Sequence, residues 1–173
     1  MPGSRVNEIK RNLPIMIDVI QKFDNEMHSG TRSIEYCIIL HPDCLSDKRI
    51  NNYLLPMLQQ YEKMNKQPRL SLLPVIQNRY QTMRNCDLLI ICSGTASLEA
   101  SFMKVPQIFF NRPNFFDYYI FRYFMKLKEY NLSNLYFEKY LIPSFVLRNK
   151  DKLVKKILKE LHKSMEIVIK YKS

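Results

Sequence analysis

Two short glycine turns hold the residues best suited to chemistry: Pro2-Gly3-Ser4-Arg5, and Ser93-Gly94-Thr95 with Glu99 beyond it. Glycine lets a backbone approach a ligand closely. A helix that follows such a turn offers unpaired N–H groups and the positive end of its dipole, which together suit an anion. Arg5 adds a planar fork that matches phosphate. Taken by itself, the first turn reads more readily as a helix cap with a solvated arginine than as an anion cradle, and Ser93 or Thr95 could cap the second helix. Glu99 lies four residues after Thr95, so the two share a helix face. A carboxylate there can accept hydrogen bonds from two vicinal hydroxyls, as on a ribose. Two such turns in one chain point to a nucleoside diphosphate more strongly than either alone.

The surrounding pattern must place both turns. Val6 to Phe23 has helical spacing, with Pro14 expected to bend it or mark a late start. Glu35 to Leu40 reads as a strand, closed by a His41-Pro42-Asp43 loop. Lys48 to Met64 is helical, with a break expected near Pro56. Arg69 to Leu73 is a strand and Ile76 to Asn85 a short helix. Asp87 to Cys92 is the most buried strand, followed by a helix over Thr95 to Met103 and a strand over Pro106 to Phe110. An aromatic helix over Asn114 to Lys126, an ambiguous stretch over Asn131 to Phe145 and a basic amphipathic helix over Asp151 to Ile169 complete the chain. Alternating strands and helices predict an α/β domain with a Rossmann-like parallel sheet flanked by helices, whose ligands bind at the carboxyl ends of the strands. Pro2-Gly3-Ser4-Arg5 has almost no strand before it, so the first strand is expected to be missing, or the chain to be a fragment.

The 173 residues suffice for one core, and the net charge of +11 attracts nucleic acid, anionic lipid or phosphorylated ligands without choosing among them. Glycine occurs three times, and Gly3 and Gly94 draw interest as positions with a backbone need. Cys37, Cys44, Cys86 and Cys92 form no C-x-x-C pair and are expected reduced; with the scattered histidines they make no metal site. No apolar run approaches a membrane span. The aromatic stretch Phe109 to Lys126 is expected to be mostly core, with one face at a membrane or a dimer partner.

The residues Pro2, Gly3, Ser4, Arg5 and Glu8, then Ser93, Gly94, Thr95, Leu98 and Glu99, together resemble the carboxyl-terminal half of the lipid-A-disaccharide synthase family. These are glycosyltransferases of the GT-B type, with two Rossmann domains. Arg112 matches a further arginine of the family, with Asn111 replacing its tyrosine. Asn134 matches an asparagine, with Ser133 replacing a proline. Ser144 and Leu147 stand where the family has glutamate and glutamine. The resemblance runs from residue 2 to about residue 160. It implies a UDP-2,3-diacylglucosamine donor, a 2,3-diacylglucosamine 1-phosphate acceptor and a lipid A disaccharide product. Gly3, Ser4, Arg5, Ser93, Gly94 and Thr95 would then face the diphosphate and Glu99 the ribose, with Arg112 and Asn134 lining the same cleft. No metal or cofactor is implied; the UDP-sugar is a substrate.

On this reading residues 1–173 form a single, truncated UDP-sugar-binding domain. The amino-terminal acceptor domain, with the catalytic residues, is expected to be absent, and the isolated chain to bind donor only. The expected location is cytoplasmic, peripheral on the inner face of the inner membrane, with a homodimer or a complementing amino-terminal domain as partner and no nucleic acid. Two rivals stand beside it: another UDP-sugar transferase or epimerase domain, and a decayed, non-catalytic binding domain.

Overall fold

The computed structural model describes residues 1–27, 34–64, 70–73, 79–120 and 129–172. In chain order the elements are α1 (Val6–Met27), β1 (Tyr36–Ile39), α2 (Pro42–Ser46), α3 (Lys48–Met64), β2 (Leu70–Leu73), α4 (Arg79–Asn85), β3 (Leu89–Ile91), α5 (Gly94–Phe102), β4 (Gln107–Asn111), α6 (Phe115–Tyr119), α7 (Leu132–Tyr136), β5 (Ser144–Val146) and α8 (Lys150–Lys172). Among the described residues all strand pairings are parallel: β1 with β2, and β3 with β4 with β5. The fold is therefore the expected α/β arrangement, its described parallel strands forming a two-stranded and a three-stranded sheet flanked by helices.

α1 is the hub. Ile9, Leu13, Ile17 and Ile20 pack on β1 and α3, while Ile15, Met16, Val19 and Phe23 pack on β4 and α8. Each such side chain, fully buried, contributes about 1.5–3 kcal/mol of transfer free energy. Pro14 does not delay the start of this helix; it sits inside it. Proline has no N–H to give to the carbonyl four residues earlier. That carbonyl, on Lys10, accepts the Tyr53 hydroxyl of α3 at 3.2 Å instead. Asp24, also on α1, is buried and takes the hydroxyls of Tyr36 at 2.7 Å and Tyr61 at 3.2 Å. One carboxylate thus ties α1 to β1 and α3.

Some local expectations change. α3 continues through Pro56 to Met64 without the expected break. The segment after His41 is a short helix, not a loop, because His41 Nδ1 accepts the Asp43 N–H and Pro42 suits a first turn. The ambiguous stretch resolves into α7 and β5. The aromatic stretch divides: Phe109 and Phe110 are core, but α6 buries no residue, and Phe116 is 75% exposed. α6 is too short to carry a buried face, and Arg148 stacks on the Phe115 ring at 4.7 Å from outside. Residues 121–128, with 74–78 and Arg69, lie outside the described residues. The cysteines are free thiols. Among the described residues no helix is long and apolar enough to cross a membrane.

Candidate functional site

The two glycine turns are neighbours. The Met1 ammonium donates to the Ile90 carbonyl at 2.8 Å, and the Cys92 N–H donates to the Met1 carbonyl at 3.1 Å. That is the hydrogen-bond pattern of a parallel pairing between Met1 and Ile91. Two residues further along each segment stand Gly3 and Ser93, so both turns lie side by side at the carboxyl end of β3. Arg112 joins them there, because Ile91 pairs with Phe109 in β4. Buried Asn12 bridges the group: its amide donates to the Pro2 carbonyl at 3.3 Å, and its oxygen accepts the Arg112 N–H at 3.4 Å.

The first turn needs glycine for its backbone. Gly3 has φ of +116°, and an added Cβ would lie 2.8 Å from Glu8 Oε2 and 2.9 Å from Glu8 Cβ. Glu8 is where it is because its carboxylate caps the helix. Its Oε2 accepts the N–H groups of Ser4 at 3.2 Å and Arg5 at 3.3 Å, and its Oε1 pairs with the Arg5 guanidinium at 3.2 Å. An anion therefore already sits on these amides, and it is the protein's own. Gly3→Ala is expected to cost about 1–3 kcal/mol, from backbone strain and displacement of this cap. Urea unfolding reads it; a loss below about 0.5 kcal/mol would show the turn adapts freely.

The second turn is built differently. Ser93 is the N-cap of α5 by backbone geometry, yet its side chain makes no capping hydrogen bond. The first N–H groups of α5 have no intrahelical acceptor. Gly94 is required by packing: a Cβ there would meet Leu132 Cγ at 2.8 Å and Cδ1 at 2.9 Å. Thr95 is exposed. One helical turn on, Glu99 Oε1 accepts the Arg79 guanidinium at 2.6 Å and the Tyr80 hydroxyl at 3.3 Å. Its other oxygen, Oε2, is buried and has no hydrogen-bond partner. Arg79 and Tyr80 of α4 thus fix one half of the carboxylate, and the other half has no hydrogen-bond partner among the described residues. Neither residue was singled out from the sequence, where nothing marks a contact made 20 positions away.

The remaining expected residues divide. The Arg112 guanidinium donates to the Arg148 carbonyl at 3.1 Å and stays at the strand ends. Asn134 is 4% exposed, and its side chain is fully used within the chain. Its amide donates to Glu129 Oε2 at 2.9 Å and the Ile142 carbonyl at 2.8 Å, and its oxygen accepts the Leu141 and Ile142 N–H groups, both at 2.9 Å. Asn134 therefore locks the chain between α7 and β5. A serine network behind it, Ser97 with Ser133 at 3.2 Å and Ser101 with Ser133 at 2.9 Å, seats α7 on α5. Asn131 adds a bond to the Ser97 hydroxyl at 2.7 Å.

Glu129, another residue the sequence did not mark, anchors this lock. Ser144 donates its hydroxyl to Glu129 Oε1 at 2.8 Å. Burial works against the charged carboxylate, but hydrogen bonds from Asn131, Asn134, Ser144 and Tyr130 outweigh it and hold the carboxyl below the usual glutamate range. A group with a lowered folded-state pKa contributes stability that is complete above its unfolded value. Glu129 should therefore support the fold fully above about pH 5 and lose that support as the pH falls through its lowered value. Urea midpoints for wild type should fall below pH 4.5, the ordinary glutamate value, more than those of Glu129→Gln. Parallel pH profiles for the two proteins would refute this.

Neighbouring glycine turns at the carboxyl ends of a parallel sheet, backed by a half-engaged carboxylate, define a Rossmann-like α/β unit with its candidate site where such folds bind ligands. The chain belongs to the Lipid-A-disaccharide synthetase family, which it matches over residues 1–171. It is 31% identical over 135 residues to the lipid-A-disaccharide synthase of Nitrosococcus oceani, covering 78% of this chain and 31% of that one. The Campylobacter jejuni enzyme is 28% identical over 136 residues, 79% of this chain and 30% of its own. That of Acinetobacter baylyi is 26% identical over 176 residues, 95% of this chain and 40% of its own. The chain thus spans between 30% and 40% of the length of these curated relatives.

Proposed function

We propose that this chain is the donor-binding part of a lipid-A-disaccharide synthase. Its ligand on this reading is UDP-2,3-diacylglucosamine, and the acceptor is 2,3-diacylglucosamine 1-phosphate. The acceptor hydroxyl bonds to the anomeric carbon of the donor sugar as the bond from that carbon to the UDP oxygen breaks, and UDP leaves. The observation that carries the reading is Glu99: Oε1 is pinned by Arg79 and Tyr80, while buried Oε2 lacks a partner. An acceptor held in that state fits the hydroxyls of a ribose. One turn earlier, the uncapped start of α5 with Ser93, Gly94 and Thr95 suits the diphosphate, and helix N–H groups stabilise charge that grows on a leaving phosphate.

Gly3 and Ser4 bring the second turn against the first, and Arg5 reaches the phosphates by exchanging Glu8 for the ligand. The Arg5 side chain is 82% exposed, so that exchange costs little packing. Arg112 lies at the same strand ends. Asn134 positions the wall of the cleft and does not touch the donor. The acceptor site and the general base belong to a further domain or partner chain, and this chain alone binds donor without turning it over. Exposed Phe115, Phe116 and Tyr119 beside Arg148 suit a peripheral position on an anionic membrane face, where both lipid substrates reside.

Thermal denaturation with UDP, ADP and GDP tests the donor reading. UDP alone should raise Tm. Equal shifts with all three nucleotides, or none, would defeat it. Robust disaccharide formation by the purified chain would overturn the assignment of catalysis to another domain.

A further inference from the structure

Cys37 and Cys86 stand far apart in the chain and meet where α4 packs on β1. Periodicity brings them there. Cys37 lies two residues before Ile39 on β1, so both side chains share one face of the strand. Cys86 lies three residues after Met83, just past the end of α4, so those two share one side of the helix. Ile39 and Met83 are buried in the same apolar cluster, and both thiols pack against it. There the Cys86 thiol hydrogen-bonds to the Cys37 sulfur. Its other acceptor is the Thr82 carbonyl, one turn back, at 3.2 Å.

This contact sets the two apart from the other thiols. The hydrogen bond from Cys86 favours the charged form of Cys37 and lowers its pKa, outweighing burial, and the same bond raises that of Cys86. Cys37 is therefore the thiolate of the pair, and Cys86 keeps its proton. Both are half-buried, and Cys86 sits between exposed Asn85 and Asp87, so a small solute reaches the pair from solvent. Cys44 and Cys92 are the reverse case. They are 1% and 8% exposed, and burial pushes both thiols up. The Cys44 thiol is also spent on the Ser4 carbonyl at 3.2 Å. A thiolate with a second thiol beside it is the pairing that oxidation closes, one sulfur attacking the oxidant and the other resolving the product.

We propose that Cys37 and Cys86 form a reversible oxidation site, which hydrogen peroxide closes to a disulfide between β1 and the end of α4. The Cys37 thiolate attacks one peroxide oxygen, the O–O bond breaks and hydroxide leaves, so Cys37 becomes a sulfenic acid. That hydroxide takes up the proton Cys37 released on ionising. The Cys86 sulfur then attacks the Cys37 sulfur, and the sulfenic hydroxyl leaves as water with the Cys86 proton. The two thiols are oxidised to one disulfide and the peroxide is reduced to water. A dithiol returns the electrons and reopens the bond. The bond tethers α4, the helix whose Arg79 and Tyr80 hold Glu99.

Peptide mapping after mild peroxide treatment tests the site, with the remaining thiols alkylated once the chain is unfolded. A mass loss of about 2 Da should fall on a cross-linked pair of peptides that hold Cys37 and Cys86, with Cys44 and Cys92 both alkylated. Dithiothreitol should make all the cysteines alkylable again. In the oxidised chain, amide hydrogen exchange at Met83, Arg84 and Asn85 should slow by on the order of tenfold. Cys86→Ser should stop at a sulfenic acid on Cys37, trapped by dimedone, and Cys37→Ser should form no cross-link and trap no dimedone. An alanine replaces the serine in either variant that does not fold. A wild-type map without the Cys37–Cys86 cross-link overturns the proposal whatever the variants show. So does a cross-link to Cys44 or Cys92 in its place, or a Cys37–Cys86 bond that leaves α4 exchange unchanged. None of these readouts uses nucleotide, so the oxidation site and the donor site can fail separately.

Discussion

Replacing Asn134 with alanine is expected to lower the unfolding free energy by about 3–4 kcal/mol, the largest effect of any single change outside the apolar core. Four partners lose their bonds at once: Glu129 Oε2, the Ile142 carbonyl, and the N–H groups of Leu141 and Ile142. The site is buried, so water does not replace them without opening the segment. Each net bond is worth about 1 kcal/mol, and a stranded buried group costs about 1–3 kcal/mol, so four losses exceed an ordinary polar substitution. Asn134→Asp refines the test. It keeps the oxygen that accepts from Leu141 and Ile142, but sets a second carboxylate against Glu129. At neutral pH it should be nearly as damaging as alanine, and it should recover as acid neutralises one of the pair. Guanidinium unfolding at two pH values measures both variants. A loss under about 1 kcal/mol for Asn134→Ala would mean the segment re-pairs by itself.

Glu99→Ala carries the second large expectation: loss of the UDP-dependent rise in Tm, equivalent to at least about tenfold weaker binding, or about 1.4 kcal/mol. The variant also strands Arg79, whose side chain is only 22% exposed, so some stability is lost without ligand. The two effects separate by reading the UDP shift against each protein's own ligand-free Tm. Glu99→Gln keeps an acceptor oxygen for Arg79 and Tyr80 but places an amide where the second oxygen stood. It should retain most of the stability and lose much of the binding. Unchanged UDP shifts in both variants would remove Glu99 from the site.

Much of the framework was legible in the sequence because it rests on short-range geometry. Helical spacing placed α3 at its observed bounds of Lys48 and Met64, and the apolar run Asp87 to Cys92 contains β3. The glycine turns announced themselves by what glycine permits. At Gly3 the backbone dihedral bears this out; at Gly94 the requirement comes from Leu132, far along the chain. The aromatic stretch misled because composition does not state depth: the same ring type is core at Phe110 and 75% exposed at Phe116.

By itself, then, the sequence determined the α/β alternation and the two turns, each from residues within a few positions of one another, and the family from the two turn motifs taken together in their order. Only the tertiary structure decided how their polar groups are spent. Arg79 and Tyr80 hold half of Glu99, and Asn134 is consumed by the segment it locks. Hydrogen bonds are short and directional, so whether a side chain is engaged or available depends on partners brought within about 3 Å by packing, and no local pattern encodes that meeting.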